Sequence, residues 1–331
     1  MNFHHIASVL NLGEIIREPV RVNGGLLHKM YRITTSGGEF AVKVLNPEIM
    51  KRPEALANMI RSERIARSFA GVIPLISAME RDGNAVLHSE GEYVLVFPWL
   101  EGSKISGAEI TPSHCKVIGK TLGKIHQKNI QIEGVTAEED AFPMFAWDDL
   151  TERIHYRTDR EHEWITAYEN ALDDITEWNK KACESEPYLL ERQVISHRDL
   201  DAKNVMWQGA QAYVIDWESA GYVNPFQELL EVINAWADDG NGMTDREKCK
   251  ALMQEYSRYN EIGSADWAAV FCGSYIGMLG WLAYNMKRAL GLETSDEEEA
   301  ALGEEQVAMT IRELYCWQDK LSQMKEWLCS K

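Results

Sequence analysis

The first hundred residues alternate hydrophobic and polar positions in short runs, a pattern typical of β-strands. The runs flank a glycine turn at 23–25 and continue at 39–45, 73–79, 85–88 and 93–97. One longer stretch, 54–70, repeats its apolar residues with helical spacing. This part of the chain is therefore predicted to form an antiparallel sheet accompanied by one helix.

The pattern changes after a connector with the sequence Phe97-Pro-Trp-Leu-Glu-Gly102. A proline that ends a strand, followed closely by a glycine, marks a boundary between structural units. Beyond it, Thr111-Pro112 opens the first helix as N-cap and first helical residue. We predict a two-lobe α+β fold with an N-lobe of residues 1–102 and a mainly helical C-lobe of residues 103–331. The later helices are predicted over 147–157, 160–184, 226–238, 244–260, 265–291 and 297–328.

Residues 194–218 interrupt the helical part with short apolar runs separated by polar loops. They bring His197, Asp199, Asn204 and Asp216 into one compact segment. A carboxylate that accepts a proton, with an amide and a carboxylate that bind a metal, is the set that phosphoryl transfer requires. We assign Asp199 as the base that orients an attacking hydroxyl, and Asn204 and Asp216 as oxygen ligands of Mg²⁺. His197 is predicted to hydrogen-bond the backbone and hold the loop in shape.

Lys43 lies in the middle of a β-rich run. It either points into solvent from an edge strand or reaches into a cleft, where it holds phosphate oxygens. Glu63, inside the helix predicted over 54–70, is either a solvated residue or the carboxylate partner of Lys43. Gly24 and Gly25 either form a plain hairpin turn or let backbone N–H groups approach a phosphate. The nucleotide-binding role of each is our working hypothesis.

The connector offers backbone groups to an adenine ring. Pro98 has no N–H but accepts through its C=O, and Leu100 donates its N–H. The missing N–H of Pro98 therefore costs nothing in this arrangement. ATP is the expected nucleotide, with GTP as the open alternative.

The net charge of −18 argues against nucleic acid as a partner, because phosphate backbones require basic surfaces. It is compatible with a cationic ligand, although many soluble proteins are acidic without such a partner. Six cysteines without Cys-x-x-Cys spacing are expected to be reduced thiols. The apolar stretch 267–283 is too short and too rich in glycine for a membrane span, and the N-terminus lacks the features of a signal peptide. We expect a cytoplasmic monomer that binds neither membranes nor nucleic acid.

At these residues the sequence resembles the aminoglycoside phosphotransferase and choline kinase superfamily, which has a protein-kinase-like fold. The resemblance extends over nearly the whole chain. It implies a nucleotide loop, a strand lysine with its helix glutamate, a hinge, a catalytic loop and a metal-binding segment. The corresponding residues are Gly24-Gly25, Ala41-Val-Lys43, Glu63, Trp99-Leu-Glu-Gly102, Ile118 to His126, His197-Arg-Asp199 with Asn204, Ile215-Asp216-Trp-Glu218, and Gly221 with Pro225, Glu228 and Leu229.

Some positions depart from this pattern. Arg198 stands where the family usually has glycine. Lys203 lies four residues past Asp199, whereas protein kinases place a lysine two residues past, where this chain has Asp201. The Asp216-Trp-Glu form, with no Ala-Pro-Glu segment after it, differs from protein kinases and favours a small-molecule substrate.

The resemblance implies an ATP- and Mg²⁺-dependent enzyme that phosphorylates a hydroxyl of a small, cationic molecule. An aminoglycoside-like antibiotic is the first expectation, with antibiotic resistance as the biological consequence. Choline, homoserine or a sugar are alternative acceptors, and a protein kinase or a catalytically silent nucleotide-binding module are further alternatives. Acidic residues that either bind an amine-rich substrate or solvate helices are Glu138, Glu139, Asp140, Asp148, Asp149, Glu152, Asp159, Glu161 and Glu163.

Overall fold

The computed structural model describes residues 1–22, 28–137, 142–156, 162–293 and 296–328. The chain divides into two compact units, each discontinuous in sequence. The first comprises residues 1–110, 117–136 and 195–222, and the second comprises residues 111–116, 137–194 and 223–331. The segment that carries the candidate base and metal ligands therefore belongs to the same compact unit as the N-terminal strands.

A five-stranded antiparallel sheet forms the N-terminal part of the first unit. Its strands are β1 (Ile15–Val22), β2 (Lys29–Thr35), β3 (Gly38–Val44), β4 (Leu87–Ser89) and β5 (Glu92–Pro98). They lie in the order β1-β2-β3-β5-β4. Three helices accompany the sheet: α1 (Phe3–Val9), α2 (Pro47–Met50) and α3 (Ala55–Ser68). The predicted fold class is confirmed for this part of the chain.

The two faces of the sheet have separate cores because side chains alternate along each strand. Val94 and Val96 of β5 pack with α1, whereas Leu95 packs with Met59 of α3. Lys43 of β3 lies directly opposite Leu95 in the ladder. Directly opposed residues share a face, so the lysine lies on the face that packs against α3. The alternation of β3 thus places Lys43, which is flanked by Val42 and Val44, on that side.

The prediction of a strand over 73–79 is wrong. The segment is extended, but its backbone groups bond two different elements: Ile76 N–H donates to the Val214 carbonyl (3.0 Å) and Met79 N–H donates to a carbonyl of β5 (2.7 Å). Pro74 has no N–H to offer to a ladder. Residues 73–79 therefore form a connecting segment, and the sheet has five strands where the sequence predicted six.

Four further strands surround the polar loops of the first unit. They are β6 (Val194–Ser196), β7 (Val205–Gln208), β8 (Gln211–Val214) and β9 (Gly221–Val223). β7 and β8 form a hairpin whose turn contains Gly209 with a φ of 61°, and β6 pairs with β9. A single 3₁₀ turn, Ala202–Asn204, leads into β7.

The remaining helices confirm most of the predicted ones, with shifted ends. They are α4 (Pro112–Lys128), α5 (Trp147–His155), α6 (Glu163–Glu191), α7 (Pro225–Trp236), α8 (Arg246–Tyr256), α9 (Trp267–Gly273), α10 (Ile276–Ala289) and α11 (Glu297–Leu328). The helix predicted over 160–184 continues through Pro187. Leu189, two residues after the proline, is 2% exposed. The free energy gained by burying this side chain offsets the cost of the backbone hydrogen bond that proline removes.

The single helix predicted over 265–291 is wrong, since the chain breaks there into α9 and α10. Ser274 Oγ donates to the Phe271 carbonyl (2.7 Å) and accepts from Trp317 Nε1 (2.9 Å), which fixes the break. Among the described residues, Trp267–Ala289 is the one stretch long and apolar enough to cross a membrane by composition, with 44% of its window buried inside the protein. The buried residues of this stretch, among them Leu279, Leu282 and Met286, belong to the core of the second unit.

Candidate active site

The hairpin of β7 and β8 brings two of the predicted site residues together. Val205 lies opposite Val214, and beyond this pair the Ile215 N–H donates to the Asn204 carbonyl (2.9 Å). Asn204 and Asp216 therefore flank the open end of one hairpin, although twelve positions separate them in sequence. This pairing accounts for the closeness of the two residues in the structure.

Asp199 is held through both of its carboxylate oxygens. Oδ2 accepts a hydrogen bond from Asn204 Nδ2 (2.9 Å), which also donates to the Asp199 backbone carbonyl (2.9 Å). Oδ1 forms a salt bridge with Lys203 Nζ (3.1 Å). The Asp199 side chain is nevertheless 36% exposed, so a hydroxyl group can approach the carboxylate.

His197 ties this loop to the neighbouring segment. Its side chain is fully buried. The Asp199 N–H donates to Nδ1 (3.3 Å), which leaves the ring proton on Nε2, and Nε2 donates to the Ile215 carbonyl (3.0 Å). Trp217 contacts the ring edge-on, with 4.8 Å between the ring centroids. The imidazole thus links the backbone of Asp199 to the residue that precedes Asp216.

Two residues of the site have a left-handed backbone, with a φ of 65° at Arg198 and 61° at Asp216. A side chain in this region costs about 1–2 kcal/mol, so such residues persist where the surroundings fix them. Glycine at position 198, as in the family pattern, would avoid this cost. The Arg198 side chain lies against Gly221, where an added Cβ would come within 3.1 Å of Nη1.

Lys43 projects from β3 toward the metal-binding segment and is 9% exposed. Its Nζ forms salt bridges with Asp216 Oδ1 (3.2 Å) and with the Glu218 carboxylate. Burial opposes the ammonium charge, but the two carboxylates outweigh burial and raise the pKa of Lys43. Lys43 is therefore a permanent cation held next to a candidate metal ligand.

Glu218 connects this lysine to a buried histidine. His28 Nε2 contacts the Glu218 carboxylate (3.3 Å), and His28 Nδ1 accepts the Asn46 N–H (2.9 Å). Burial alone would raise the pKa of Glu218, but His28 and Lys43 lower it to about 2. A continuous set of contacts therefore runs from the Asn46 backbone, just after β3, to the Lys43 ammonium.

Glu63 lies in α3 and is 4% exposed. Its Oε2 accepts the Ala78 N–H (2.7 Å). Burial raises the pKa of Glu63 to about 7, against the opposing influence of the Ala78 hydrogen bond and the Lys43 charge. In the described part of the chain, the salt bridges of Lys43 go to Asp216 and Glu218. Glu63 thus interacts with Lys43 electrostatically, while its direct partner is a backbone N–H.

We expect the Glu63→Gln substitution to remove a pH-dependent part of the stability. A carboxyl group whose pKa rises from 4.5 to about 7 on folding contributes stability that is complete below pH 4.5 and is lost as pH rises through 7. Between pH 5 and pH 8 this loss amounts to ~2–3 kcal/mol. Urea unfolding at the two pH values should show the loss in the wild type and not in the variant.

Glu54→Gln is the matched control for this experiment, because Glu54 lies at the start of the same helix and is exposed. It should reproduce the pH dependence of the wild type. Equal pH dependence in all three proteins would contradict the assignment of this contribution to Glu63.

The connector after β5 presents the backbone groups proposed for adenine. Pro98 is the last residue of β5 and lies opposite Phe40. The Trp99 N–H donates to the Glu39 carbonyl (3.0 Å), and the Ser103 N–H donates to the Trp207 carbonyl (3.0 Å). These two bonds fix the backbone on either side of Leu100, whose N–H has no acceptor among the described residues. Gly24 and Gly25, the proposed phosphate loop, lie outside the described residues.

Asn204 and Asp216 supply oxygen atoms of the kind that Mg²⁺ requires. Asn204 directs its Nδ2 toward Asp199, so its amide oxygen faces away from that carboxylate. The Asp216 carboxylate is 42% exposed and carries a second oxygen besides the one that contacts Lys43. Within the described residues no cluster of three or more His, Cys, Asp or Glu side chains forms a metal site. A donor set of one amide and one carboxylate fits Mg²⁺, which retains several waters, better than a metal that needs a complete protein shell.

Sequence analysis did not identify Glu218 or His28 as contacts of the site. A signal for Glu218 was present: Asp216 and Glu218 are two positions apart, and the Trp217 between them is 1% exposed. Both carboxylates contact Lys43 Nζ. No local pattern distinguishes His28, because its partners lie 18 and 190 residues away.

Residues 19–262 match the sequence profile of the phosphotransferase enzyme family. The chain belongs to that family. The resemblance stated from the catalytic loop and metal-binding segment is therefore confirmed.

The chain is also similar to two curated homoserine kinases. The chain is 24% identical over 194 residues to the enzyme from Rhizobium rhizogenes and 27% identical over 193 residues to that from Methylorubrum populi. Each alignment covers 57% of this chain and 56% of the relative. The chain thus matches a little more than half the length of these curated relatives.

Solved structures of phosphotransferases share the fold over almost the whole chain. Spectinomycin phosphotransferase, in complex with ADP and spectinomycin, superposes with a TM-score of 0.64 at 12% identity, covering 95% of this chain and 98% of that one. Amicoumacin kinase, in complex with AMP-PNP and Ca²⁺, gives 0.60 at 13% identity and 94% coverage of both chains. Choline kinase from Cryptosporidium parvum gives 0.52 at 13% identity, covering 95% and 93%. These likenesses establish the fold of this family member.

Proposed function

We propose that the protein is a small-molecule kinase that transfers the γ-phosphoryl group of ATP to a hydroxyl group of an amine-bearing acceptor. The observation that carries this proposal is the clamped, accessible carboxylate of Asp199 beside Asn204. Within the same compact unit, Lys43 contacts Asp216. A base, a phosphate-binding cation and two metal-binding oxygens are the parts that phosphoryl transfer uses.

Each residue has a definite part in this proposal. Asp199 accepts the proton of the acceptor hydroxyl, and Lys43 binds phosphate oxygens, with Glu63 close enough to interact with Lys43 electrostatically. Pro98 and Leu100 receive the adenine ring through backbone groups, and Gly24 and Gly25 cover the phosphates. Asn204 and Asp216 hold Mg²⁺, which when bound neutralises charge on the phosphate oxygens.

The acceptor is proposed to carry both an amine and a hydroxyl group. An aminoglycoside-like antibiotic is the first candidate, in line with structural relatives whose bound ligands include spectinomycin. Homoserine is the second, favoured by the two homoserine kinases among the sequence relatives. Of the acidic residues suggested for amine binding, Asp148, Asp149, Glu152 and Glu163 lie within the described residues, in α5 and at the start of α6. The others, Glu138, Glu139, Asp140, Asp159 and Glu161, lie outside them.

We further propose a cytoplasmic enzyme that acts as a monomer and binds no nucleic acid, and the net charge of −18 supports the last of these points. We also propose that the enzyme has no membrane partner, since Leu279, Leu282 and Met286 in the apolar stretch Trp267–Ala289 are buried inside the protein. Gel filtration with light scattering and fractionation of expressing cells test these two points separately.

A coupled assay of nucleotide consumption is the test of the proposed function. ATP and Mg²⁺ are supplied with a panel of aminoglycosides, spectinomycin, homoserine, choline, ethanolamine and simple sugars, and GTP replaces ATP in parallel. We expect saturable ADP release with an amine-bearing alcohol, and none with Asp199→Asn. Phosphorylation of added proteins without turnover of any small alcohol would instead identify a protein kinase. Nucleotide binding without turnover of any acceptor would identify a silent module.

A further inference from the structure

We propose that Lys203 is a catalytic residue that contacts the phosphoryl group during transfer. This inference rests on the proposed function, because it concerns the same active site. Lys203 is separated from Asp199 by four positions, and its Nζ lies 3.1 Å from Asp199 Oδ1. It therefore stands next to the point where the acceptor oxygen is expected to attack.

The local backbone determines this position of Lys203. Asp201 caps the 3₁₀ turn that contains it, since its Oδ1 accepts the Lys203 N–H (3.0 Å). The Asp201 N–H donates to the Asp199 carbonyl (2.9 Å), and the Asn204 N–H donates to the Asp201 carbonyl (2.9 Å). Three hydrogen bonds within six residues thus turn the chain back so that Lys203 lies over the Asp199 carboxylate.

The distribution of charge leaves Lys203 better suited than Lys43 to stabilise a transferring group. Lys43 already neutralises two carboxylates, Asp216 and Glu218. Lys203 is 61% exposed and makes one salt bridge among the described residues. An ammonium group has three N–H donors, so contact with Asp199 leaves two for phosphoryl oxygens.

The geometry of in-line transfer brings these donors to the reacting group. The acceptor oxygen must lie within hydrogen-bonding distance of Asp199, and its phosphorus target begins about 3 Å farther on. As the new oxygen–phosphorus bond forms, the acceptor proton passes to Asp199. The bond from phosphorus to the bridging oxygen breaks, and ADP leaves with its electron pair. Lys203 keeps its protons throughout and stabilises the negative charge on the peripheral oxygens.

The alternative is a purely structural salt bridge. Exposed pairs of this kind contribute only ~0.2–1 kcal/mol, so loss of Lys203 should leave the fold intact. Lys181 supplies a matched control: its Nζ lies 3.1 Å from Glu177 Oε1 with the same four-residue spacing, and it is 50% exposed. This pair lies in α6, in the second compact unit, whereas Lys203 and Asp199 belong to the first.

The test uses ADP with Mg²⁺ and aluminium fluoride, which together imitate a phosphoryl group in transfer. Affinities of ADP alone and of the adduct are measured by calorimetry for the wild type, Lys203→Met, Lys203→Arg and Lys181→Met. We expect the wild type and Lys181→Met to bind the adduct more tightly than ADP. Lys203→Met should bind ADP normally and lose about 100-fold in affinity for the adduct, the usual effect of removing one transition-state donor. Lys203→Arg should retain part of the preference.

With an acceptor from the screen, Lys203→Met should lower kcat about 100-fold and leave the KM for ATP within about 2-fold. A Lys203→Met protein that binds the adduct as tightly as the wild type would overturn the inference while leaving the proposed function intact. A wild type that binds neither ADP nor the adduct would instead overturn the proposed function itself, and the assignment of Lys203 with it.

Discussion

Replacing Asp199 with asparagine is expected to lower the rate of phosphoryl transfer by about 10³-fold, while the affinity for nucleotide stays within about 2-fold. The amide cannot accept the proton of the acceptor hydroxyl. Asparagine also has one side-chain acceptor oxygen, whereas Asp199 accepts from Asn204 at one oxygen and Lys203 at the other. One of these two donors must therefore lose its acceptor in the Asp199→Asn variant. Asp199→Ala, which removes both acceptor oxygens, should be tested alongside.

Rates are measured in single-turnover assays, and nucleotide affinity by calorimetry. Asp201→Asn is the matched control, because it makes the same chemical change two residues away in the same turn. Asparagine caps a turn as well as aspartate, so the hydrogen bond from the Lys203 N–H should persist and activity should stay near that of the wild type. Substantial transfer by Asp199→Asn would show that another group removes the proton.

The parts of the site that were predictable from sequence are those that local patterns determine. Asn204 precedes one short apolar run and Asp216 follows the next, and the β7–β8 hairpin between these runs brings the two residues together. Asp199 lies five positions before Asn204 in the same loop. Lys43 was identifiable because it breaks an apolar strand, and strand alternation determines the face on which it lies.

The contacts of Lys43 were not predictable in the same way. Glu63 and Glu218 both lie in segments that resemble family motifs, and sequence order does not reveal which one forms the salt bridge. The distinction depends on the path of the chain at 73–79, which was predicted as a strand. Because this segment is instead a connector, the Ala78 N–H is available to the Glu63 carboxylate. The wrong prediction for 73–79 therefore concealed the hydrogen bond that Glu63 of α3 accepts.

The break between α9 and α10 was missed for a related physical reason. Helical spacing continues across it, so periodicity alone predicts one helix. Gly273 lies where an added Cβ would come within 2.2 Å of Leu189 Cδ1, and Trp317 donates to Ser274. Both features are packing between helices distant in sequence, which a local pattern does not contain.

Asp216→Ala is expected to weaken nucleotide binding in the presence of Mg²⁺ by at least about 100-fold, since a direct ligand should matter no less than the outer-shell partners of a metal site. Lys43 would keep its salt bridge with Glu218, so the phosphate-binding cation should remain in place. The effect should therefore depend on the metal: with EDTA present, wild type and variant should bind ADP with similar affinity. Calorimetric titrations with and without Mg²⁺ measure this difference.

Asp216→Asn separates the loss of the metal ligand from a change in backbone conformation. The φ of 61° at position 216 is tolerated better by asparagine than by alanine, and asparagine also keeps one oxygen for the metal. Asp216→Asn should therefore retain part of the Mg²⁺-dependent gain in affinity that Asp216→Ala loses. If Mg²⁺ improves ADP binding by the same factor in the wild type and Asp216→Ala, the metal is held by other residues. Loss of a metal ligand should weaken ADP binding only when Mg²⁺ is present. If each variant instead loses the same affinity with and without Mg²⁺, Asp216 acts on the conformation of the loop.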